Sequence, residues 1–136
     1  MEEPNRNLQE LEMQFNYLSQ QVEEAKAQLN EMRMALQEMQ ETLFAIVELE
    51  AKPKSTLVLL GASSFVPSKI ETEKVLVPIG ANVLAMKTPL DARKVIEERA
   101  AKLLSAITNV EKALGQMLQM RQSLMQQAQQ AQQSSM

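Results

Sequence analysis

Two long stretches of the chain place apolar residues at alternating steps of three and four, and no other feature limits the fold as strongly. The first stretch, residues 5–52, contains no proline and keeps this alternation for more than five heptads. Such a seam is typical of a coiled coil, because a helix that packs on a globular core has a wider and shorter apolar stripe. Its members are Leu8, Leu11, Phe15, Leu18, Val22, Ala25, Leu29, Met32, Leu36, Met39, Leu43 and Ile46.

The second stretch, residues 90–131, repeats the pattern and has a recognisable start. Thr88, Pro89 and Asp91 predict a helix N-terminus, since threonine caps helices, proline suits the first position and an acidic side chain suits the first turn. The two stretches have similar lengths. The sequence therefore predicts that the two helices pair antiparallel, with both chain ends at one tip.

Residues 53–90 break this period and predict two consecutive β-hairpins. Four short apolar runs alternate there with turn residues, among them Gly61-Ala62 and Gly80-Ala81. Four strands without a covering helix leave apolar side chains and strand edges exposed, so we expect other chains to cover them. The residues predicted for this oligomerisation surface are Leu57, Val58, Leu60, Phe65, Val66, Ile70, Val75, Val77, Ile79, Val83 and Leu84.

The residue inventory argues against an enzyme. The chain has no histidine and no cysteine, which removes catalytic triads, cysteine nucleophiles, zinc fingers and disulfide frameworks together. Its 3 glycines are too few for a glycine-rich phosphate loop. We therefore expect no catalytic residue, no metal site and no cofactor.

The charge balance and the hydropathy of the sequence argue against nucleic acid and membranes as partners. With 14 basic and 17 acidic residues the net charge is −3, which gives no concentrated basic face for nucleic acid. No apolar run is long enough to span a membrane, and the first residues are polar and acidic, unlike a signal peptide. The sequence predicts a cytoplasmic protein with neither a nucleic-acid nor a membrane partner.

The order of helix, two hairpins and helix resembles the α-type subunit of the prefoldin family. The specific signal lies in the paired strand–Gly–Ala motifs LVLLGASSFV, residues 57–66, and VLVPIGANV, residues 75–83, followed by Asp91-Ala92. The similarity covers residues 5–133, and two hairpins rather than one distinguish the α type from the β type. Pro67 and the Leu59-Leu60 pair depart from the usual pattern.

This resemblance implies an α+β fold: a long antiparallel two-helix coiled coil joined by two consecutive β-hairpins that form an intersubunit β-barrel platform. Such proteins are hexamers of two α-type and four β-type subunits. Their coiled-coil tips capture unfolded client proteins and deliver them to a group II chaperonin without ATP. The implied parts are the first helix, the platform, the second helix and a flexible tail, at residues 5–52, 53–90, 90–131 and 132–136.

On this interpretation the tip residues are the client-binding candidates. Leu8, Leu11 and Phe15 face alanine or serine in the antiparallel register, so they are poorly covered. The off-seam methionines are soft side chains suited to varied partners, whereas Met32 and Met39 fill the seam. The predicted client-binding residues are Leu8, Leu11, Met13, Phe15, Met120, Leu124 and Met125.

Two alternatives stay open at this point. An α-type paralogue could form homo-oligomers or filaments, and a static coiled-coil scaffold could space its partners without transferring clients. A scaffold should close its seam with polar residues at the tip, and this chain has leucine and phenylalanine there.

Overall fold

A computed structural model of the protein describes the backbone of residues 2–134 and the side chains of residues 6–133. Within these residues, two antiparallel hairpins lie between two long helices in chain order, and the predicted α+β fold is confirmed. The chain divides into two compact units, residues 2–34 with 104–134, and residues 35–103. The elements are α1 (Glu2–Glu50), β1 (Thr56–Gly61), β2 (Ser64–Ser68), β3 (Val75–Gly80), β4 (Val83–Lys87) and α2 (Pro89–Ser134).

The end of α1 is set by a left-handed residue and a proline. The backbone N–H of Lys52 donates to the carbonyl of Leu49 at 3.0 Å, and Lys52 itself has a φ of 54°. A residue in this conformation turns the chain out of the helix, and Pro53 directly after it cannot continue the helix. For this reason α1 ends at Glu50, just before the proline that limits the predicted segment 5–52.

The start of α2 follows the predicted capping pattern. The hydroxyl of Thr88 accepts a hydrogen bond from the backbone N–H of Asp91 at 3.2 Å, and Pro89 is the first helical residue. The cap satisfies one of the N–H groups that a helix N-terminus leaves without an intrahelical partner. At its other end α2 continues to Ser134, three residues past the predicted helix end at 131; residues 135 and 136 lie outside the described part.

The two hairpins are versions of one motif. In each, a glycine with a φ of 125° or 130° precedes a two-residue turn in which both residues have positive φ. Positive φ at both central positions defines the turn type that matches the right-handed twist of paired strands. A register shift lies beside each glycine, so superposing Gly61 on Gly80 makes Val58 equivalent to Val77 and Phe65 equivalent to Leu84.

Replacing Gly80 and Gly115 by alanine should change the free energy of unfolding in opposite directions. Gly80→Ala should lower the free energy of unfolding by about 1–3 kcal/mol, because its φ of 130° suits glycine alone. Gly115→Ala, in the interior of α2, should raise it by about 0.5–1 kcal/mol, since helical alanine is favoured and an added Cβ meets no atom within 4 Å. Urea unfolding followed by circular dichroism measures both; a loss of stability for Gly115→Ala would contradict this account.

The unit of residues 2–34 and 104–134 has a narrow core along the predicted seam. Leu18, Val22, Ala25 and Leu29 are buried on α1, and Ile107 is buried on α2. These α1 positions follow steps of four and three, as a seam between two helices requires. Arg33 donates to the Glu111 carboxylate at 3.0 Å, which fits an antiparallel pairing within this unit.

The unit of residues 35–103 joins a hairpin to the ends of both helices. Val77 of β3 is buried with Ile46 of α1 and with Ala92 and Ile96 of α2. The half-buried side chains of Glu50 and Arg93 form an ion pair of 3.0 Å that links the end of α1 to the start of α2. One face of the β3–β4 hairpin therefore packs inside its own chain.

Candidate functional site

The first candidate site is the tip region, which we define as residues 8–18 of α1 and 116–128 of α2. Burial of the seam declines here, because Leu18 and Val22 are buried whereas Leu11 and Phe15 are half-buried. The facing residue Ala128 is too small to cover them, so apolar surface stays accessible.

An apolar groove of about 270 Å³ forms where Leu11 and Phe15 meet α2. Four predicted client-binding residues meet in it: Leu11, Phe15, Leu124 and Met125. Glu12 and Asn16 form part of its rim, and apolar side chains form most of the lining. A groove of this kind can receive an apolar side chain of another polypeptide without a shaped pocket.

A second groove, of about 770 Å³, opens along the neighbouring turns of the same helices, and we call it the amide groove. Its apolar part includes Leu18, Met120 and Leu124, of which the last two were predicted client-binding residues. Tyr17 also lines it, with its hydroxyl accepting a hydrogen bond from Gln21 at 3.0 Å. The glutamines of this groove are Gln14, Gln21, Gln116, Gln119 and Gln127.

Two predicted residues lie apart from the grooves, and one residue was missed. Leu8 is half-buried and Met13 is 71% exposed, and neither lines the two grooves described above. Tyr17 was not among the predicted client-binding residues, although it is 65% exposed. Its off-seam position beside Leu18 was the available sign in the sequence.

The second candidate site is the surface of the hairpins. Eight predicted oligomerisation residues are exposed in the single chain: Leu57, Val58, Leu60, Phe65, Val66, Ile79, Val83 and Leu84. Leu59, Leu76 and Met86 are exposed as well and were missed; Leu59 pairs with Phe65 across the hairpin. This much apolar surface on short strands is typical of an interface between chains.

Val77 needs a correction. It was predicted as an oligomerisation residue, but it is 2% exposed and packs against Ile46, Ala92 and Ile96 of its own chain. Val75 is half-buried against the same cluster, and Ile70 is half-buried. β3 therefore turns one side inward, because the ends of both helices offer that side an apolar surface within the chain.

Comparison with known proteins decides the family. The model of the prefoldin subunit family matches residues 5–134. The chain belongs to the prefoldin family. The cryo-EM structure of filamentous PFD from Methanocaldococcus jannaschii is similar in fold, with a TM-score of 0.68 and 23% sequence identity over 82% of this chain and 95% of that chain. A search of curated proteins returned no match.

Prefoldin subunits are a class of chaperones and not of enzymes, and they assemble with other prefoldin subunits. In the part of this prefoldin chain that the structure describes, no cluster of acidic side chains could hold a metal ion. Over the same residues, neither helix is long and apolar enough to cross a membrane.

Proposed function

We propose that the chain is an α-type prefoldin subunit that captures unfolded polypeptides at its tip region and passes them to a group II chaperonin without ATP. The observation that carries this proposal is the apolar groove, in which Leu11, Phe15, Leu124 and Met125 stay accessible at the ends of the helices. Its proposed place of action is the cytoplasm, where newly made chains expose apolar surface.

Capture without nucleotide fits the chemistry of this region. A non-native client is recognised by exposed apolar side chains, which differ from one client to the next. Methionine suits such varied contacts because its unbranched, polarizable side chain adapts its shape. Several tip regions acting on one client would turn weak single contacts into useful avidity.

The proposed assembly is a hexamer of two α-type and four β-type subunits, held by the hairpins in a β-barrel platform. The exposed apolar residues of both hairpins support this proposal, since Phe65, Leu84 and their neighbours are uncovered in the single chain. Strand edges of this kind gain both hydrogen bonds and apolar burial when another strand pairs with them.

A homo-oligomer or filament without client transfer is the second candidate. It is supported by the fold likeness to a prefoldin whose solved structure is filamentous. Light scattering on the chain alone and on its mixture with a β-type subunit separates the two candidates. A large assembly of the chain alone that does not change on mixing would favour the second.

The capture proposal predicts that tip substitutions weaken chaperone activity. Replacing Leu8, Leu11, Met13, Phe15, Met120 and Met125 together by serine should reduce suppression of aggregation and leave the oligomer intact. The assay dilutes a chemically denatured protein into the chaperone without nucleotide. The reason is loss of accessible apolar surface at the helix ends.

A matched pair of triple variants controls for helix stability. Met13, Met120 and Met125 are exposed tip methionines, whereas Met34, Phe44 and Leu104 are exposed apolar residues elsewhere on the helices. Serine at the first three positions should weaken protection, and serine at the second three should not. If the variant with all six serine substitutions suppresses aggregation as well as the parent, clients are captured elsewhere than in the tip region.

A further inference from the structure

The lining of the amide groove is uncharged throughout the residues that form it. Charged residues make up 23% of the chain, and none of the lining side chains is among them. Glutamines stand above an apolar floor that includes Leu18 and Leu124. By charge complementarity the groove suits an uncharged segment, because its lining offers a charged side chain no counter-ion.

The glutamine amides have hydrogen-bonding capacity to offer. Among the described residues, the side chains of Gln14, Gln116, Gln119 and Gln127 form no hydrogen bond with another protein group, whereas Gln21 donates to Tyr17. A primary amide carries two N–H donors and a carbonyl acceptor. A wall of such amides can therefore meet both N–H and C=O groups, whatever side chains the occupant carries.

The dimensions fit a short extended segment. On α2 the groove runs from Gln116 to Gln127, which corresponds to about 16 Å along the helix axis. An extended chain rises about 3.3 Å per residue, so roughly five residues fit this length. In an extended segment, alternate side chains point to one face, which suits an apolar floor, and the backbone groups point sideways. A helical segment bonds its own backbone groups and leaves none for the amides.

We propose that the amide groove binds an extended, uncharged segment of a non-native polypeptide through hydrogen bonds from its glutamines to the backbone of that segment. This inference rests on the proposed capture of clients at the tip region and specifies what is recognised there. Unpaired backbone distinguishes a non-native chain from a folded one, because folded proteins pair nearly all of theirs. The groove thus recognises a client by its unpaired backbone groups as well as by its exposed apolar side chains.

Replacing glutamines of the amide groove by methionine tests the proposal, because backbone recognition and purely apolar capture predict opposite changes in peptide affinity. Methionine has nearly the length and helix propensity of glutamine, but it cannot donate a hydrogen bond. The variant Gln14→Met, Gln116→Met and Gln119→Met should bind a neutral peptide of alternating valine and threonine about tenfold more weakly than the parent. Apolar capture alone predicts equal or tighter binding by this variant, and that result would overturn the proposal. Fluorescence anisotropy with a labelled heptapeptide measures the affinity.

A change in the peptide provides a second measurement that needs no variant of the protein. N-methylation of alternate residues removes backbone donors, so the parent should bind the methylated peptide about tenfold more weakly. A hydrocarbon-stapled helical peptide of the same composition should also bind more weakly. Equal affinity of the parent for the extended, methylated and stapled peptides would overturn the proposal, and so would no binding of the extended peptide.

The control variant carries methionine at exposed glutamines outside the groove, Gln20, Gln28 and Gln122. It should bind the peptide as the parent does, and a loss equal to that of the groove variant would count against the proposal. The aggregation assay reports separately on chaperone activity. Consider the outcome in which the parent suppresses aggregation while the groove variant binds the peptide with the affinity of the parent. That result would support client capture at the tip region and contradict backbone recognition by the glutamines.

Discussion

A chain that carries Phe65→Asp and Leu84→Asp should behave as a single subunit in solution, whereas the parent should assemble. These residues occupy equivalent positions in the two hairpins and are 55% and 54% exposed in the single chain. Aspartate is therefore tolerated by the subunit itself. In an assembly that buries the hairpins, however, each carboxylate would lose its hydration without gaining a partner, which is costly.

Light scattering coupled to size exclusion measures the mass of the variant, alone and with a β-type subunit. Far-UV circular dichroism should show unchanged helix content. The control variant carries aspartate at Met34 and Leu104, which are equally exposed apolar residues on the helices. It should assemble like the parent. A hairpin variant with the mass of the parent would show that the hairpins are not the assembly surface.

Aspartate at neighbouring positions of β3 should have very different effects on folding. Val77 lies in the buried cluster with Ile46 and Ile96, whereas Leu76 points to the other face of the strand and is exposed. We expect Val77→Asp to lower the free energy of unfolding by roughly 3–5 kcal/mol, since it leaves an uncompensated charge in a core. Leu76→Asp should stay within about 0.5 kcal/mol, as a surface substitution does.

Both substitutions are best compared in the background of Phe65→Asp and Leu84→Asp. In a chain that does not assemble, the unfolding midpoint does not depend on protein concentration. Urea unfolding followed by circular dichroism then gives the difference directly. Equal destabilisation by Val77→Asp and Leu76→Asp would mean that β3 does not turn Val77 towards the helices.

The helices could be predicted in detail because their signals are local. The seam positions Leu18, Val22 and Leu29 are buried as the heptad pattern indicated, and Thr88 caps α2. Heptad spacing and capping depend on residues a few positions apart, so the sequence contains all that is needed. The exact last residue of α1, Glu50, depends on the left-handed conformation of Lys52, which leaves no comparable mark in the sequence.

The inward face of β3 could not be predicted, for a physical reason. Leu76 and Val77 are both apolar, so alternation does not tell which one faces the helices. The choice depends on the apolar surface that Ile46 and Ala92 provide at the helix ends, far away in sequence. Sequence reasoning therefore assigned Val77 to the surface between subunits.

The amide groove could not be predicted from the sequence, because it too depends on residues that are far apart in the chain. Glutamine on a coiled-coil helix ordinarily faces solvent, and a single helix gives no sign that its glutamines border a cavity. Gln14 and Gln119 meet across one groove only because the two helices bring their sides together. The apolar tip residues were easier, since Leu11 and Phe15 were already conspicuous opposite small residues.

The equivalence of Val58 and Val77 bears on what a substitution at each position can change. Val77 is enclosed by its own chain, whereas Val58, at the corresponding place in the first hairpin, is 41% exposed. A polar residue at position 77 acts through the folding of the single chain, because it disturbs the cluster with Ile46 and Ile96. A polar residue at position 58 leaves that folding largely unchanged and alters only the surface that the first hairpin exposes. The first hairpin can therefore accept substitutions that the inward face of the second hairpin cannot.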